Sequence, residues 1–279
     1  MTKTTKSALS LAAVLSLAGC GGGNSEPQLI LSQSSASRGE MAAAPIDDAA
    51  RLAAGGDFVV GLHNDGSVYA WGNNADGQLG FASTNMFSPV PTLVPGMSRV
   101  TAVASGFYHT TALRDDGKVW AWGNNSWGQL GSGTFMISRT PVQVLGLSNV
   151  TAVSAAYLNA AALNADGTVW RWGQYHTTKS PVPAQVLGLS GIRAIASGSG
   201  YLLALKSDGT VWGWGSNAYG QLGNGSAAAM VAYPAPVTGM SDVSHVAGGP
   251  SHALAVTRNG AVWAWGSNVA HQVGSAASN

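Results

Sequence analysis

The chain has 279 residues, of which 13 are Lys or Arg and 12 are Asp or Glu, so only 9% is charged and the net charge is +1. That balance leaves no basic stripe to neutralise phosphates, which argues against a nucleic-acid partner. A single cysteine, Cys20, excludes an intramolecular disulfide, and 38 glycines, about double the ~7% usual in globular proteins, point to many tight turns.

Lys3 and Lys6 precede an apolar stretch from Ala8 to Ala18. It is too short to span a bilayer as a mature helix and has the layout of a secretory signal. The stretch ends Leu17-Ala18-Gly19-Cys20, which resembles the lipobox of bacterial lipoproteins. The resemblance implies that residues 1–19 are a lipoprotein signal peptide and that Cys20 is lipidated and becomes the new N-terminus. With Gly21 rather than Asp next, it also implies the outer membrane of a Gram-negative cell. Two or more acyl chains would make that anchoring stable. Residues 20–50, with Gly, Ser, Ala and Gln abundant, read as the lipidated cysteine and a flexible linker that holds a domain at 51–279 off the bilayer. Without Lys3 and Lys6, 11 basic and 12 acidic residues remain, a net charge of one negative.

A Trp-Gly pair then recurs at Trp71, Trp122, Trp172, Trp214 and Trp265, at steps of 51, 50, 42 and 51 residues. A fixed period of that size marks a repeat architecture. Four of the pairs open a second phrase, as in Gly123-Asn124-Asn125-Ser126-Trp127-Gly128-Gln129-Leu130-Gly131. The third departs, reading Gly173-Gln174-Tyr175-His176, and its unit is eight or nine residues short.

Each unit carries Asp-Gly or Asn-Gly between two short strand-favouring runs: Asp65-Gly66, Asp116-Gly117, Asp166-Gly167, Asp208-Gly209 and Asn259-Gly260. This predicts a hairpin with a type I′ turn. After it come aromatic pairs at spacing two, such as Trp120/Trp122 and Trp170/Trp172. They fall on one face of a strand and hold nine of the ten Trp residues, which predicts packing. An apolar run precedes the last four hairpins (Val100–Val103, Val150–Val153, Ile192–Ile195, Val243–Val246). A Pro-containing run ending in Gly, as at Pro89 to Gly96, predicts an exposed outer strand. About four short strands in about 50 residues make a blade, so the chain is all-β, a β-propeller of about five four-stranded blades.

The phrases Gly106-Phe107-Tyr108-His109-Thr110-Thr111-Ala112-Leu113, Asp116-Gly117-Lys118-Val119-Trp120-Ala121-Trp122-Gly123 and Asn124 to Gly131 resemble the regulator-of-chromosome-condensation repeat over roughly residues 50–274. The resemblance implies a propeller, most often of seven blades, that grips another protein with the loops of one face. Five units fall short of seven. Either Leu29-Ile30-Leu31 closes a five-bladed ring by supplying the last outer strand, with closure slightly favoured, or the ring is open and exposes edge strands. Phe58, His109, Asn159, Tyr201 and His252 share one position, and that interchangeability points to a structural role at the strand end.

No metal-spaced His/Cys cluster, phosphate-cradling loop or nucleophile elbow is present. No catalytic residue, metal or cofactor is therefore assigned, and the chain reads as a non-enzyme. Binding residues are sought in the loops, where aromatics mark contact sites. The candidates are Trp127 and Tyr108 first, then Phe107, Tyr157, Tyr175, Tyr201, Tyr219, Phe87 and Phe135. The leading function is a lipid-anchored, exported module that binds another protein in the envelope or at the cell surface. A carbohydrate- or wall-binding module is the alternative. A propeller-based hydrolase or lyase ranks lower, and a GTPase exchange factor is a poor match for an exported chain.

Overall fold

The computed structural model describes residues 51–175 and 177–274. The expected signal peptide, Cys20, the linker and Leu29–Leu31 lie outside the described residues. Those described form five antiparallel sheets, each with its strands in chain order. The first sheet holds β1 (Arg51–Ala54), β2 (Phe58–Leu62), β3 (Val68–Asn73) and β4 (Phe87–Leu93). The second holds β5 (Val100–Ser105), β6 (His109–Arg114), β7 (Val119–Gly123) and β8 (Ser138–Gln143). The third has β9 (Val150–Ala156), β10 (Asn159–Asn164), β11 (Val169–Tyr175) and β12 (Thr178–Val186). The fourth has β13 (Ile192–Gly198), β14 (Tyr201–Lys206), β15 (Val211–Ser216) and β16 (Met230–Pro236). The fifth has three strands, β17 (Val243–Gly248), β18 (His252–Thr257) and β19 (Val262–Gly266). The first strand of each sheet packs on the first strand of the next, so these strands are innermost and the Pro-containing strands outermost. This is propeller architecture.

The hairpins form where the sequence predicts them, with a different turn. Only the glycines have positive φ (81° at Gly66, 73° at Gly117, 81° at Gly167, 84° at Gly209, 87° at Gly260). Gly66 N–H bonds the His63 carbonyl at 3.0 Å and His63 N–H bonds the Ser67 carbonyl at 2.9 Å. A type I turn followed by a left-handed glycine bulge satisfies this pattern. The acidic residue stays right-handed because its carboxylate caps the turn: Asp65 Oδ1 accepts the Ser67 N–H at 2.8 Å, and Asp166 and Asp208 do the same for Thr168 and Thr210 at 2.9 Å.

The blades are joined by a seam that the Trp pairs predict only in part. Trp122 and Trp172 are fully buried between neighbouring sheets, amid Val, Leu and Ala side chains. The indole N–H of Trp122 donates to the main-chain carbonyl of Gln78 in the preceding blade at 2.9 Å. Trp172 does so to Gln129, and Trp265 to Gln221, at the same distance. The glutamine of the Gly-Gln-Leu-Gly phrase therefore supplies an acceptor to the next blade, and its leucine (Leu79, Leu130, Leu222) fills the seam without exposure. In the shortened third unit the phrase is missing. Trp214 is then buried with no partner for its indole nitrogen, and Tyr175 takes the place of the leucine.

Among the described residues, the first and last sheets each keep half a seam. No packing of the inter-blade kind joins the β17-β18-β19 sheet to the β1-β4 sheet among the described residues. Val262 is 71% exposed, whereas its counterparts Val68, Val119, Val169 and Val211 are fully buried. At the other end Leu52 is 59% exposed, and Trp71 is only half-buried. Among the described residues, the five blades thus form an arc whose first and last sheets do not pack on one another.

Candidate functional site

Strand direction decides which loops share a face. The innermost strand of each blade runs up to the short loop before the second strand, and the third strand runs up to the long loop before the outer one. Both loops emerge on one face, with the Asp-Gly hairpins on the opposite face. Main-chain bonds tie the two loop sets together: Asn124 N–H to the Tyr108 carbonyl at 2.9 Å, Asn73 N–H to Asp57 at 2.8 Å and Ser216 N–H to Gly200 at 2.9 Å.

Near the axis this face carries a three-ring cluster. The Phe107 ring lies 4.6 Å from Tyr108 and 5.5 Å from Tyr157, centroid to centroid, both edge to face. Phe107 and Tyr108 are half-buried and Tyr157 is 45% exposed. The cluster is held by the backbone beneath it. Gly56 N–H donates to the Phe107 carbonyl at 3.1 Å, and Phe107 N–H donates to the Tyr157 carbonyl at 3.0 Å, linking the short loops of three successive blades. Aromatic pairs of this geometry add roughly 0.5–1.5 kcal/mol beyond area burial, so the rings form a pre-arranged platform.

The long loops, with Phe87 at the start of β4, give an outer set. Phe87, Phe135 and Tyr219 are 68%, 42% and 56% exposed, and the Lys179 ammonium sits 4.6 Å over the Phe135 ring. Trp127 is half-buried. Its N–H bonds Gln129 Oε1 at 2.9 Å, and the following Gly128, at φ 80°, packs on Ser180 and Pro181 of the next blade's outer strand. The Arg139 guanidinium fixes the loop of the preceding blade by donating to the Asn74 and Ala75 carbonyls at 3.1 and 2.9 Å.

Two candidates are corrected. Tyr175 is 5% exposed and packs with Leu163, Val169, Val186 and Trp214. Its hydroxyl donates to the Ala160 carbonyl at 3.3 Å, and the Arg171 guanidinium lies 4.4 Å over its ring. It ends a strand that turns back at once, so no loop remains to present it. Tyr201 is fully buried as the first residue of β14. Its hydroxyl donates to the Gly249 carbonyl at 3.0 Å and to that of His252. Burial raises both phenols well above their ordinary range.

The position shared by Tyr201 is a junction between blades. Asn159 Nδ2 reaches the Gly198 carbonyl at 3.1 Å, as Tyr201 reaches Gly249. His109 is fully buried with neither ring nitrogen in contact with a protein partner, and burial pushes its pKa down to about 3. Each ring at this position lies over a glycine three residues earlier (Gly55, Gly106, Gly198, Gly249), where a Cβ would enter the ring. Where the residue is the smaller Asn159, the earlier residue is Ala156. That pairing was the signal in the sequence for a packed junction. Tyr233, 80% exposed on β16, is an outward aromatic that the loop-based reading missed. Among the described residues no group of three or more His, Cys, Asp or Glu converges as a metal site would.

Five blades, a repeated Trp-to-carbonyl seam and an aromatic loop face define a propeller of the kind that works as a protein-interaction module. Residues 16–279 match the model of the RCC1-like domain, and the chain belongs to that family. It is 25% identical to the yeast protein Prp20p of Saccharomyces cerevisiae, whose structure superposes with a TM-score of 0.73 over 81% of this chain and 60% of that one. Human WBSCR16 gives a TM-score of 0.72 at 24% identity, over 80% of this chain and 64% of its own, a likeness of fold alone. Among curated relatives, the secretion-regulating guanine nucleotide exchange factor of Mus musculus is 42% identical over 82 residues, 28% of this chain and 17% of that protein. The mitochondrial RCC1 domain-containing protein RUG3 of Arabidopsis thaliana is 39% identical over 85 residues, 30% and 19% respectively. The chain thus spans less than a fifth of the length of these two relatives.

Proposed function

We propose that this propeller is an exported, lipid-anchored module that holds another protein against the face carrying Phe107, Tyr108 and Tyr157. The observation that supports it most is the edge-to-face cluster itself. Three rings sit side by side, fixed by inter-blade main-chain bonds and open to solvent at Tyr157. Rigid aromatics with a polar tip supply contact area at small entropic cost and are enriched in interface hot spots. A propeller relative points the same way, since Prp20p is described with its binding to Gsp1p and histones. The chain's low charge gives no reason to expect a nucleic-acid or strongly electrostatic partner. Anchoring through Cys20 rests on the Leu17-Ala18-Gly19-Cys20 phrase, and it would place the face in the envelope or at the surface of a Gram-negative cell.

The test is a pull-down from envelope and secreted fractions, wild type against Tyr108→Ser/Tyr157→Ser. A protein retained by the wild type and lost by the variant supports the reading. Retention on peptidoglycan or envelope glycans instead, with no protein captured, replaces it by wall binding. Labelling with radioactive palmitate, present in the wild type and lost in Cys20→Ser, tests the anchor separately.

A further inference from the structure

The face that carries the ring cluster also carries one unpaired charge. In the short loops, Asp57 and Tyr108 hold matching places in neighbouring blades. The carbonyl of each accepts the N–H of the residue after a Trp-Gly pair, from Asn73 at 2.8 Å and from Asn124 at 2.9 Å. Phe107 links the two loops. Its carbonyl accepts the Gly56 N–H at 3.1 Å, and its ring covers Gly56 so closely that a Cβ there would come within 2.7 Å of it. Asp57 follows directly, so it flanks the Phe107-Tyr108-Tyr157 cluster on the first-blade side. It is exposed, and its carboxylate has neither an ion pair nor a hydrogen bond among the described residues. The third, fourth and fifth blades present Tyr157-Leu158, Ser199-Gly200 and Pro250-Ser251, which leaves Asp57 as the one charged residue in the short loops of the five described blades. At the rim of the face, Arg139 and Lys179 are both engaged elsewhere, Arg139 with the Asn74 and Ala75 carbonyls and Lys179 with the Phe135 ring.

We propose that the partner is anchored here by a lysine or arginine, its stem lying on the Phe107, Tyr108 and Tyr157 rings and its cationic head at Asp57. This rests on the reading that the face holds a protein, and it narrows that protein to one with a protruding basic residue. The argument is charge complementarity. Aromatic faces attract cations, and a carboxylate beside them adds a second attraction of the same sign. Lys and Arg match both parts, because an apolar stem carries the charged head. An acidic residue would meet repulsion at Asp57, and a purely apolar one would strip the carboxylate of water without replacing it. The chain uses the same pairing internally, with the Lys179 ammonium 4.6 Å over the Phe135 ring. One carboxylate in five loops calls for one basic residue rather than a basic surface, in keeping with the low charge of the chain.

The experiment is NMR titration of the full chain carrying Cys20→Ser, which leaves no site for acylation, with the blocked tripeptides Gly-Arg-Gly, Gly-Lys-Gly and Gly-norleucine-Gly. The side-chain methylene protons of the Arg and Lys peptides should move upfield, as protons held over aromatic rings do, and those of norleucine should not. Asp57→Asn should weaken the basic peptides about threefold, the share of one exposed ion pair. Tyr157→Ser should weaken them by about as much, the share of one exposed cation–π contact. Added salt should weaken them as well. The Asp57 side chain is exposed and unbonded, so Asp57→Asn should keep the fold, and unchanged circular dichroism would verify it. Equal shifts from norleucine, no shift from any peptide, or full binding by Asp57→Asn would each overturn the proposal. The envelope pull-down separates this inference from the reading beneath it. A protein lost by Tyr108→Ser/Tyr157→Ser but retained by Asp57→Lys would mean that the face binds protein without a basic anchor, and this inference alone would fail. If the wild type captures no protein, the reading itself fails.

Discussion

The indole N–H of Trp122 donates to the main-chain carbonyl of Gln78, 2.9 Å away and 44 residues earlier in the chain, inside a seam that excludes water. One residue type in a strand and one in a loop thus fasten successive blades, and the repeat spacing follows from keeping them in step.

The seam predicts unequal outcomes for one substitution at two sites. Trp122→Phe takes from the Gln78 carbonyl one of its two donors, the other being the Thr110 hydroxyl at 2.9 Å, and trims a packed ring, and should destabilise by about 1–3 kcal/mol. Trp214→Phe trims a packed ring as well, but the indole nitrogen it removes is already buried without a partner, so it should cost less than Trp122→Phe. Denaturant midpoints of the two variants check this. Trp122→Ala should cost about 3–5 kcal/mol.

The ring-over-glycine junction predicts a rescue. Gly106→Ala drives a methyl into the His109 ring and should destabilise. His109→Asn in the same chain should recover most of the loss, because the third blade already pairs Ala156 with Asn159. A double-mutant cycle measures the coupling, expected within 0.5–3 kcal/mol as an order of magnitude, roughly.

Much of this was legible in advance. The Asp-Gly hairpins, the Trp pairs and the outward Pro strands are local signals repeated five times or nearly so. The turn type was not legible, because the choice between I′ and a bulged type I depends on whether the Asp carboxylate caps the next strand, as Asp65 does for Ser67. Tyr175 and Tyr201 read as loop aromatics because periodicity gives a residue's place in a repeat, not what packs above it. Tyr175 lies inside only because its unit lost the Leu of Gly-Gln-Leu-Gly. The face cluster of Phe107, Tyr108 and Tyr157 needed the adjacency of two blades, which no single unit encodes.

Acid should weaken the fold through His109. Burial holds its pKa at about 3 in the folded chain, against 6.5 when unfolded. Above pH 6.5 both states leave it neutral and its full contribution is present. As pH falls from 6.5 toward 3, the unfolded chain takes up a proton the folded chain refuses, so stability drops by up to about 1.4 kcal/mol per pH unit across that window. The pH dependence of urea midpoints should be visibly flatter in His109→Asn, with equal slopes contradicting the assignment.

Tyr175 should behave as a core residue. Tyr175→Ala should cost about 3–5 kcal/mol, as deletion of a buried ring does, while Tyr157→Ala on the open face should cost only about 0.5–1.5 kcal/mol, the edge-to-face contact with Phe107 that it gives up. Thermal unfolding of the two variants separates them.

The central claim, that the aromatic loop face holds a protein, is tested most directly by photo-crosslinking in the native cell with a benzophenone amino acid at Tyr108, Tyr157 or Tyr233. A discrete protein adduct from positions 108 and 157, absent from the exposed outer-strand position 233, is the predicted result. Adducts equally strong from position 233, or none from 108 and 157, would contradict it.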